Sequence, residues 1–260
     1  TLDARVQSLV VEALRRQLTD LAGSSVRDAA AVVLDNATGD VLAYVGSAGP
    51  ASRAREVDGA AALRQAGSTL KPFLYGLAIE RGYLTAASLL EDSPVHLDTG
   101  VGLYVPQNYD RDFKGTVSVR TALASSLNVP AVRTLILAGV EALRDRLRAF
   151  GYRSLDQPGE HYGYSLALGS ADVSLLDQAN AYRALANGGV WSPVRWRLDE
   201  AAGVSRRVLS AAAAHIVSDI LADPAARAPT FGLDSPLATA YWAAVKTGTS
   251  KNLRDNWCLG

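Results

Sequence analysis

Apolar residues along this chain recur at two spacings. Val6, Leu9, Val10, Ala13, Leu14, Leu18 and Leu21 repeat at i, i+3, i+4 and i+7, which predicts an amphipathic helix ending near Gly23. Residues 30–34 and 41–45 are instead short runs rich in Val and Leu. Between them Asn36-Ala37-Thr38-Gly39 supplies turn chemistry with a residue free to adopt positive φ, so a hairpin is expected. Residues 46–59 then read as loop. From Thr69 the positions Leu70, Phe73, Leu74, Leu77 and Ala78 return to helical spacing and stop near Gly82. Proline lacks an N–H and is tolerated only in a first turn, so Pro72 sets the helix start at Ser68 or Thr69. Residues 84–115 read as loop, punctuated by Pro94, Gly100, Gly102, Pro106 and Gly115. Helical patterns follow over 117–127, 130–137, 141–150 and 174–186, the last opened by a capping serine and closed by Asn187-Gly188-Gly189. Residues 191–198 and 204–209 form a candidate ribbon, Ser210 caps a helix through Leu221, and 241–245 is a candidate strand. Two strands, many helices, then a strand predict an α+β fold in which both chain ends contribute to one sheet.

Composition removes several function classes. Lys+Arg and Asp+Glu balance at 26 each, so there is no basic surplus to release counterions from a polyanion, and nucleic acid is not expected as a partner. The longest apolar window, near residues 129–140, is too short for a membrane span and contains Arg133. A lone Cys258 excludes an internal disulfide framework and a cysteine-based metal cluster. His96, His161 and His215 occur singly, without metal-ligand spacing, so no metal site and no cofactor are expected. The chain opens on Thr1, which suggests a piece of a longer protein whose upstream anchor is not included.

Four of the 26 basic residues are lysines, Lys71, Lys114, Lys246 and Lys251, and the rest are arginines. Lysine, unlike arginine, can lose its proton when buried, so the bias directs attention to these positions. In Ser68-Thr69-Leu70-Lys71 the three-residue spacing puts hydroxyl and amine on one helix face. A serine hydroxyl is a weak nucleophile, and a desolvated lysine can activate it as base. A helix start would also set unpaired N–H groups beside Ser68 to receive an oxyanion. With 21 serines in the chain, chance alone gives about 0.3 such pairings, so the motif needs context. Ser126-Leu127-Asn128 carries no weight alone, because such triplets commonly cap or turn. Lys246-Thr247-Gly248-Thr249 is more specific: on an edge strand it offers a cation, two hydroxyls for a carboxylate, and a glycine permitting close approach of a ligand. The three motifs in this order come close to the set associated with β-lactamases and penicillin-binding proteins, with Asn128 where the middle motif of that set ends in Asn.

On these residues the sequence resembles the transpeptidase domain of class A penicillin-binding proteins, most closely the C type. The resemblance extends to Thr1-Leu2-Asp3, the Asp35–Gly39 turn, Gln65-Ala66-Gly67 before Ser68, Pro106-Gln107-Asn108-Tyr109-Asp110, Ala167-Leu168-Gly169 and Ala186-Asn187-Gly188-Gly189. It implies a penicillin-binding, β-lactamase-like α+β fold with an antiparallel sheet and an all-helical subdomain. It divides the chain into a linker helix over 1–28 and a transpeptidase domain over 29–260. The family continues past the Lys-Thr-Gly strand with further strands and a closing helix, so the sheet is expected to be incomplete and its edge unpaired. The implied activity is serine acyl transfer in peptidoglycan cross-linking. Ser68 is the expected nucleophile and Lys71 its base, Ser126 and Lys246 pass a proton to the leaving amine, and Asn128 holds the acyl chain and Lys71. Thr247, Gly248 and Thr249 are the expected substrate-binding strand, with N–H groups of Ser68 and Thr249 as oxyanion donors. Implied partners are stem peptides, as D-Ala-D-Ala donor and amine acceptor, β-lactams, and other cell-wall synthesis proteins. The implied location is the periplasm, with the membrane reached only through an upstream anchor.

Rival functions share the motifs. A class A β-lactamase needs a carboxylate to activate the deacylating water, and Glu160-His161-Tyr162-Gly163 lacks the Glu-x-x-Leu-Asn pattern of those enzymes. A D,D-carboxypeptidase differs only in using water as acceptor, and a β-lactam sensor is acylated without turnover. Elsewhere, Arg144, Arg146 and Arg148 read as a solvated helix face, Asn108, Tyr109 and Asp110 as a polar loop, and Trp191, Trp196, Trp242 and Trp257 as packing.

Overall fold

The computed structural model describes residues 1–99 and 102–260, and Gly100 lies outside them. In chain order the elements are α1 (Ala4–Asp20), β1 (Ala31–Leu34), β2 (Val41–Val45), β3 (Arg64–Gln65), α2 (Lys71–Glu80), β4 (Leu89–Asp92), β5 (Leu97–Asp98), β6 (Leu103–Tyr104), β7 (Gly115–Ser118), α3 (Val119–Ala124) and α4 (Asn128–Ala138). Then come α5 (Val140–Ala149), α6 (Gly159–Tyr162), β8 (Asp172–Val173), α7 (Leu175–Ala186), β9 (Val190–Trp191), β10 (Arg206–Arg207), α8 (Ala211–Ala222), α9 (Pro224–Phe231), β11 (Lys246–Thr249) and β12 (Asn256–Leu259). Among the described residues every ladder is two-stranded. The two chain ends therefore do not share a ladder, contrary to expectation: β1 pairs with β2, and β11 takes its partner from β12 just downstream. Strands also occur in the stretch read as loop, where β4 pairs with β7 and β5 with β6.

The chain forms two compact units. The first comprises Thr1–Arg64, Phe150–Ser154 and Val173–Val208. Asp3 caps α1 by accepting from the N–H groups of Arg5 and Val6, which satisfies donors that a helix start leaves orphaned. Val6, Val10 and Leu14 are half-buried and Leu18 is buried, whereas Leu9, expected on the same stripe, is exposed. The Gln7 amide brackets Tyr44 of β2, accepting from its N–H and donating to its carbonyl. The predicted hairpin turn has Gly39 at φ +78°, with the Asp35 carboxylate accepting from the N–H and hydroxyl of Thr38. A side chain on Gly39 would strike the buried guanidinium of Arg183 on α7, which donates to the Asn36 carbonyl, Asn180 and Ser192. The predicted ribbon shrinks to β9 and β10, with Arg206 stacked 3.9 Å over the Trp191 ring.

The second unit comprises Gln65–Ala149, Leu155–Asp172 and Leu209–Gly260. Its centre is α2, buried from Lys71 through Ala78, and α4, α5 and α8 pack against it. A helix covered on all sides is apolar on all sides. Phe73, Leu74 and Tyr75 are fully buried, and each such side chain contributes about 1.5–3 kcal/mol of transfer free energy. Of the arginines of α5, Arg144 and Arg146 are half-buried rather than solvated, Arg148 is exposed as expected, and all three have polar partners. Arg146 pairs with Glu80 of α2, Arg144 with Glu141 and Asp145, and Arg148 donates to the Leu155 carbonyl. Trp257 is buried and donates to the Gln65 carbonyl, but Trp242 is exposed rather than packed.

Candidate active site

All eight site residues expected from sequence lie in the second unit, on three backbone features. The first is the turn before α2. Regular helix begins at Lys71, three residues later than a Ser68 start, because Gly67–Leu70 forms a tighter 3-10 turn with Pro72 just inside the helix that follows. Gly67 sits at φ +57° and donates to the carbonyl of Gly169, itself at φ +73°. Built on Gly169, a Cβ would stand 1.8 Å from the Gly67 carbonyl oxygen, and on Gly67 it would meet the Thr249 backbone at 2.6–2.8 Å. Glycine at both positions thus lets three backbone segments close around Ser68.

The second feature is the end of α3. Ser126 is at φ +61°, its N–H donates to the Leu123 carbonyl, and the N–H of Leu127 donates to the Ala122 carbonyl. That is the bond pattern of a helix stop that usually places glycine where Ser126 stands. Holding a residue with a Cβ in this conformation costs about 1–2 kcal/mol, and the return is a hydroxyl aimed at two amines. Lys246 Nζ donates to Ser126 Oγ at 2.7 Å, and Lys71 Nζ approaches the same oxygen at 3.5 Å. Lys71 Nζ further donates to the Ser126 carbonyl at 2.7 Å, the Leu127 carbonyl at 3.1 Å and Asn128 Oδ1 at 2.7 Å.

The third feature is β11, whose pairing with β12 runs Lys246–Leu259 through Thr249–Asn256. The strand is Lys246–Thr249 itself, not 241–245. β12 pairs along one of its edges, and among the described residues no third strand joins this ladder, as an incomplete sheet with an unpaired edge implies. Gly248 has a packing role that the sequence did not reveal. A Cβ there would meet Thr69 Cγ2 at 2.7 Å and the Ala66 carbonyl at 2.8 Å. The missing side chain therefore admits the Ser68 turn.

Electrostatics set these two lysines apart from the others. Burial holds Lys71 well below the ordinary lysine range, and the neighbouring Lys246 cation lowers it further. Burial likewise brings Lys246 down to about 7, with Cys258 acting in the other direction. Desolvation penalises the ammonium, so both amines give up a proton more readily than an exposed lysine does, and for Lys246 the neutral form becomes accessible near neutral pH. Lys114 is instead a surface cation paired with Asp110 and Asp112, and Lys251 is exposed. The lysine bias thus singles out two chemically unusual residues of four.

Lys71, Ser126, Asn128 and Lys246 are joined by hydrogen bonds. The Ser68 hydroxyl is not joined to them: half-buried, it forms no hydrogen bond among the described residues. Lys71 meets Ser68 only through its backbone N–H, which donates to the Ser68 carbonyl, and its amine turns to Ser126 and Asn128 instead. The hydroxyls of Thr247 and Thr249 likewise have no partner among the described residues, and Thr249 is exposed. Sequence reasoning missed the structural weight of Asn108, read as a loop residue but buried at 5% exposure, with Oδ1 accepting from the Asn128 N–H at 2.8 Å. Its place in the conspicuous Pro106–Asp110 run was the available signal.

Fold and clustered motifs together define the class. A family model described as the penicillin binding protein transpeptidase domain matches residues 29–256, and the chain belongs to that family. Within it the chain sides with the class A proteins, as the sequence resemblance implied. It is 37% identical to Penicillin-binding protein 1C of Escherichia coli (strain K12) over 262 residues, covering 100% of this chain and 33% of the relative. Penicillin-binding protein 1A of Neisseria meningitidis serogroup A is 38% identical over 166 residues, covering 62% of this chain and 20% of the relative. The chain thus spans a third or less of these relatives' length. The crystal structure of Penicillin-Binding Protein 1A from Haemophilus influenzae superposes with a TM-score of 0.70 at 25% identity, covering 86% of this chain and 40% of that one. Among the described residues no helix is long and apolar enough to cross a membrane.

Proposed function

We propose that this domain is a D,D-transpeptidase of peptidoglycan cross-linking that works through an acyl-enzyme on Ser68. The observation that carries this reading is the convergence of two buried lysines, Lys71 and Lys246, whose hold on a proton burial weakens, on the Ser126 hydroxyl, in the unit whose α2 is preceded by Ser68. Ser68 Oγ attacks the carbonyl between the two terminal D-alanines of a donor stem peptide, and Lys71 takes the hydroxyl proton. The tetrahedral oxyanion is received by the N–H groups of Ser68 and Thr249, whose backbones are brought close by Gly67. The C–N bond then breaks, and the departing D-alanine amine takes a proton relayed by Ser126 and Lys246. An amine of a second stem attacks the ester, forms the cross-link and releases Ser68. Asn128 orients Lys71, while Thr247 and Thr249 offer free hydroxyls to the donor carboxylate. β-Lactams follow the same first step and remain as a slowly hydrolysed ester. In this reading the domain works in the periplasm, as part of a longer anchored protein among other wall-synthesis proteins.

Intact-mass spectrometry after incubation with benzylpenicillin tests this. The chain is expected to gain one penicillin mass, Ser68→Ala to gain none, and Lys71→Arg to label at least 100-fold more slowly, since arginine does not give up its proton. A stable adduct on Ser68→Ala would move the nucleophile elsewhere. Rapid loss of free penicillin without an adduct would favour a β-lactamase.

A further inference from the structure

We propose that Asn108 and Asp92 are positioning residues of the acyl-transfer site, a buried relay that holds Asn128 and, through it, the Lys71 amine. This rests on the reading of Ser68 as nucleophile and Lys71 as its base. Helix α4 starts at Asn128, directly after Leu127, a residue that offers no capping side chain. Its first N–H groups find their acceptor in the neighbouring loop instead. Asn108 Oδ1 accepts from the Asn128 N–H at 2.8 Å and from the Val129 N–H at 3.4 Å. The Asn128 side chain is fixed from the same loop, its Nδ2 donating to the Gln107 carbonyl at 2.8 Å. With Nδ2 committed there, Oδ1 is the atom left to face Lys71 Nζ, at 2.7 Å. An amide has one acceptor end and one donor end, so holding the donor end determines what the acceptor end meets.

Asn108 is oriented in turn by a charge. Its Nδ2 donates to both oxygens of Asp92 at 2.8 Å and to the Asp112 carbonyl at 2.9 Å. Asp92, at the end of β4, is fully buried and also accepts from the Lys114 N–H at 2.8 Å. A carboxylate takes hydrogen bonds and gives none, so Asp92 forces the amide of Asn108 to present Nδ2 inward and Oδ1 toward α4. The result is an unbroken series, Asp92 to Asn108 to Asn128 to Lys71, in which the donor end of each amide is committed and its acceptor end faces the next group. A buried carboxylate is costly unless every oxygen is met, and here that cost is tied to the orientation of a group that touches the base.

The test compares this chain with Asn108→Ala and with the double variant Asp92→Leu/Asn108→Ala, using a fluorescent penicillin under saturating conditions. Thermal melting reports the fold, the concentration dependence reports reversible binding, and the plateau reports the acylation rate. Asn108→Ala alone strands the Asp92 charge and is expected to lower the melting temperature, whereas the double variant removes that charge and restores it. If the relay positions Lys71, acylation in the double variant stays about 10–100-fold slow, the scale of a misplaced catalytic group, with reversible binding within about twofold. A merely structural role predicts that acylation recovers together with melting, and that result overturns the proposal. Should Asn108→Ala not fold, the double variant decides alone by the same criterion. An unlabelled parent chain, or a labelled Ser68→Ala, overturns the Ser68 reading and this inference with it. A labelled parent with fully active variants overturns only the relay.

Discussion

Replacing Lys246 by methionine separates the electrostatic cost of this site from its chemistry. Methionine keeps the length and apolar stem but cannot be charged. Lys246 titrates near 10.5 when unfolded and about 7 in the folded chain, where it is 2% exposed. Between those values the unfolded state binds the proton and the folded state does not, so stability rises with pH by about 1.4 kcal/mol per unit. Below 7 both states are protonated and the full penalty stands. Above 10.5 both are neutral and it is gone. At pH 7 the penalty amounts to about 4 kcal/mol. Against this, the variant loses the amine's bonds to Ser126 Oγ and the Thr247 carbonyl, together about 1–2 kcal/mol. Lys246→Met is therefore expected to be about 2–3 kcal/mol more stable at pH 7 and to fall below the parent near pH 9–10. Easing the depression of Lys71 by removing the neighbouring cation acts in the same direction. Urea unfolding of both proteins at half-unit steps from pH 6 to 10.5 measures the crossing. Parallel stability curves would show that Lys246 keeps an ordinary lysine pKa, and the argument for a neutral amine at Ser126 would fall. Acylation by benzylpenicillin should meanwhile slow, since stability is gained where the chemistry is lost.

Two further outcomes follow from the backbone around the site. Gly169→Ala would put a Cβ 1.8 Å from the Gly67 carbonyl, whereas Gly82→Ala, at φ +69°, would meet nothing within 4 Å. Denaturant unfolding should show a loss of more than about 3 kcal/mol for Gly169→Ala and about 1–2 kcal/mol for Gly82→Ala; equal losses would mean that backbone closure does not demand the first glycine. Ser126→Gly relaxes the positive φ, worth about 1–2 kcal/mol, while removing an acceptor from Lys246 at a similar cost. Its melting temperature should stay near that of the parent while penicillin acylation drops at least tenfold, and retained acylation would remove Ser126 from the proton path.

Local periodicity and turn chemistry decided much before any tertiary contact was known. The hairpin with Gly39, the capping serines at Ser174 and Ser210, and the α2 stripe are features a few neighbouring residues dictate, because helix and turn energetics act over three or four positions. The three ordered motifs likewise named the residues of the candidate site. What they left open was which side chains meet. The side chains of Ser68 and Lys71, three residues apart, share no hydrogen bond, while those of Lys71 and Asn128, 57 apart, do. Nor could spacing reveal that Gly248 makes room for the Ser68 turn, that β12 pairs with β11, or that Asn108 caps α4 from another loop. The lowered lysine pKa values belong to the same group, since desolvation depends on every atom that excludes water from the amine. The sequence by itself determined the chemical groups and the local elements. Their orientation and ionisation were decided only in the packed unit, because hydrogen-bond geometry and dielectric environment are properties of the whole surroundings rather than of a chain segment.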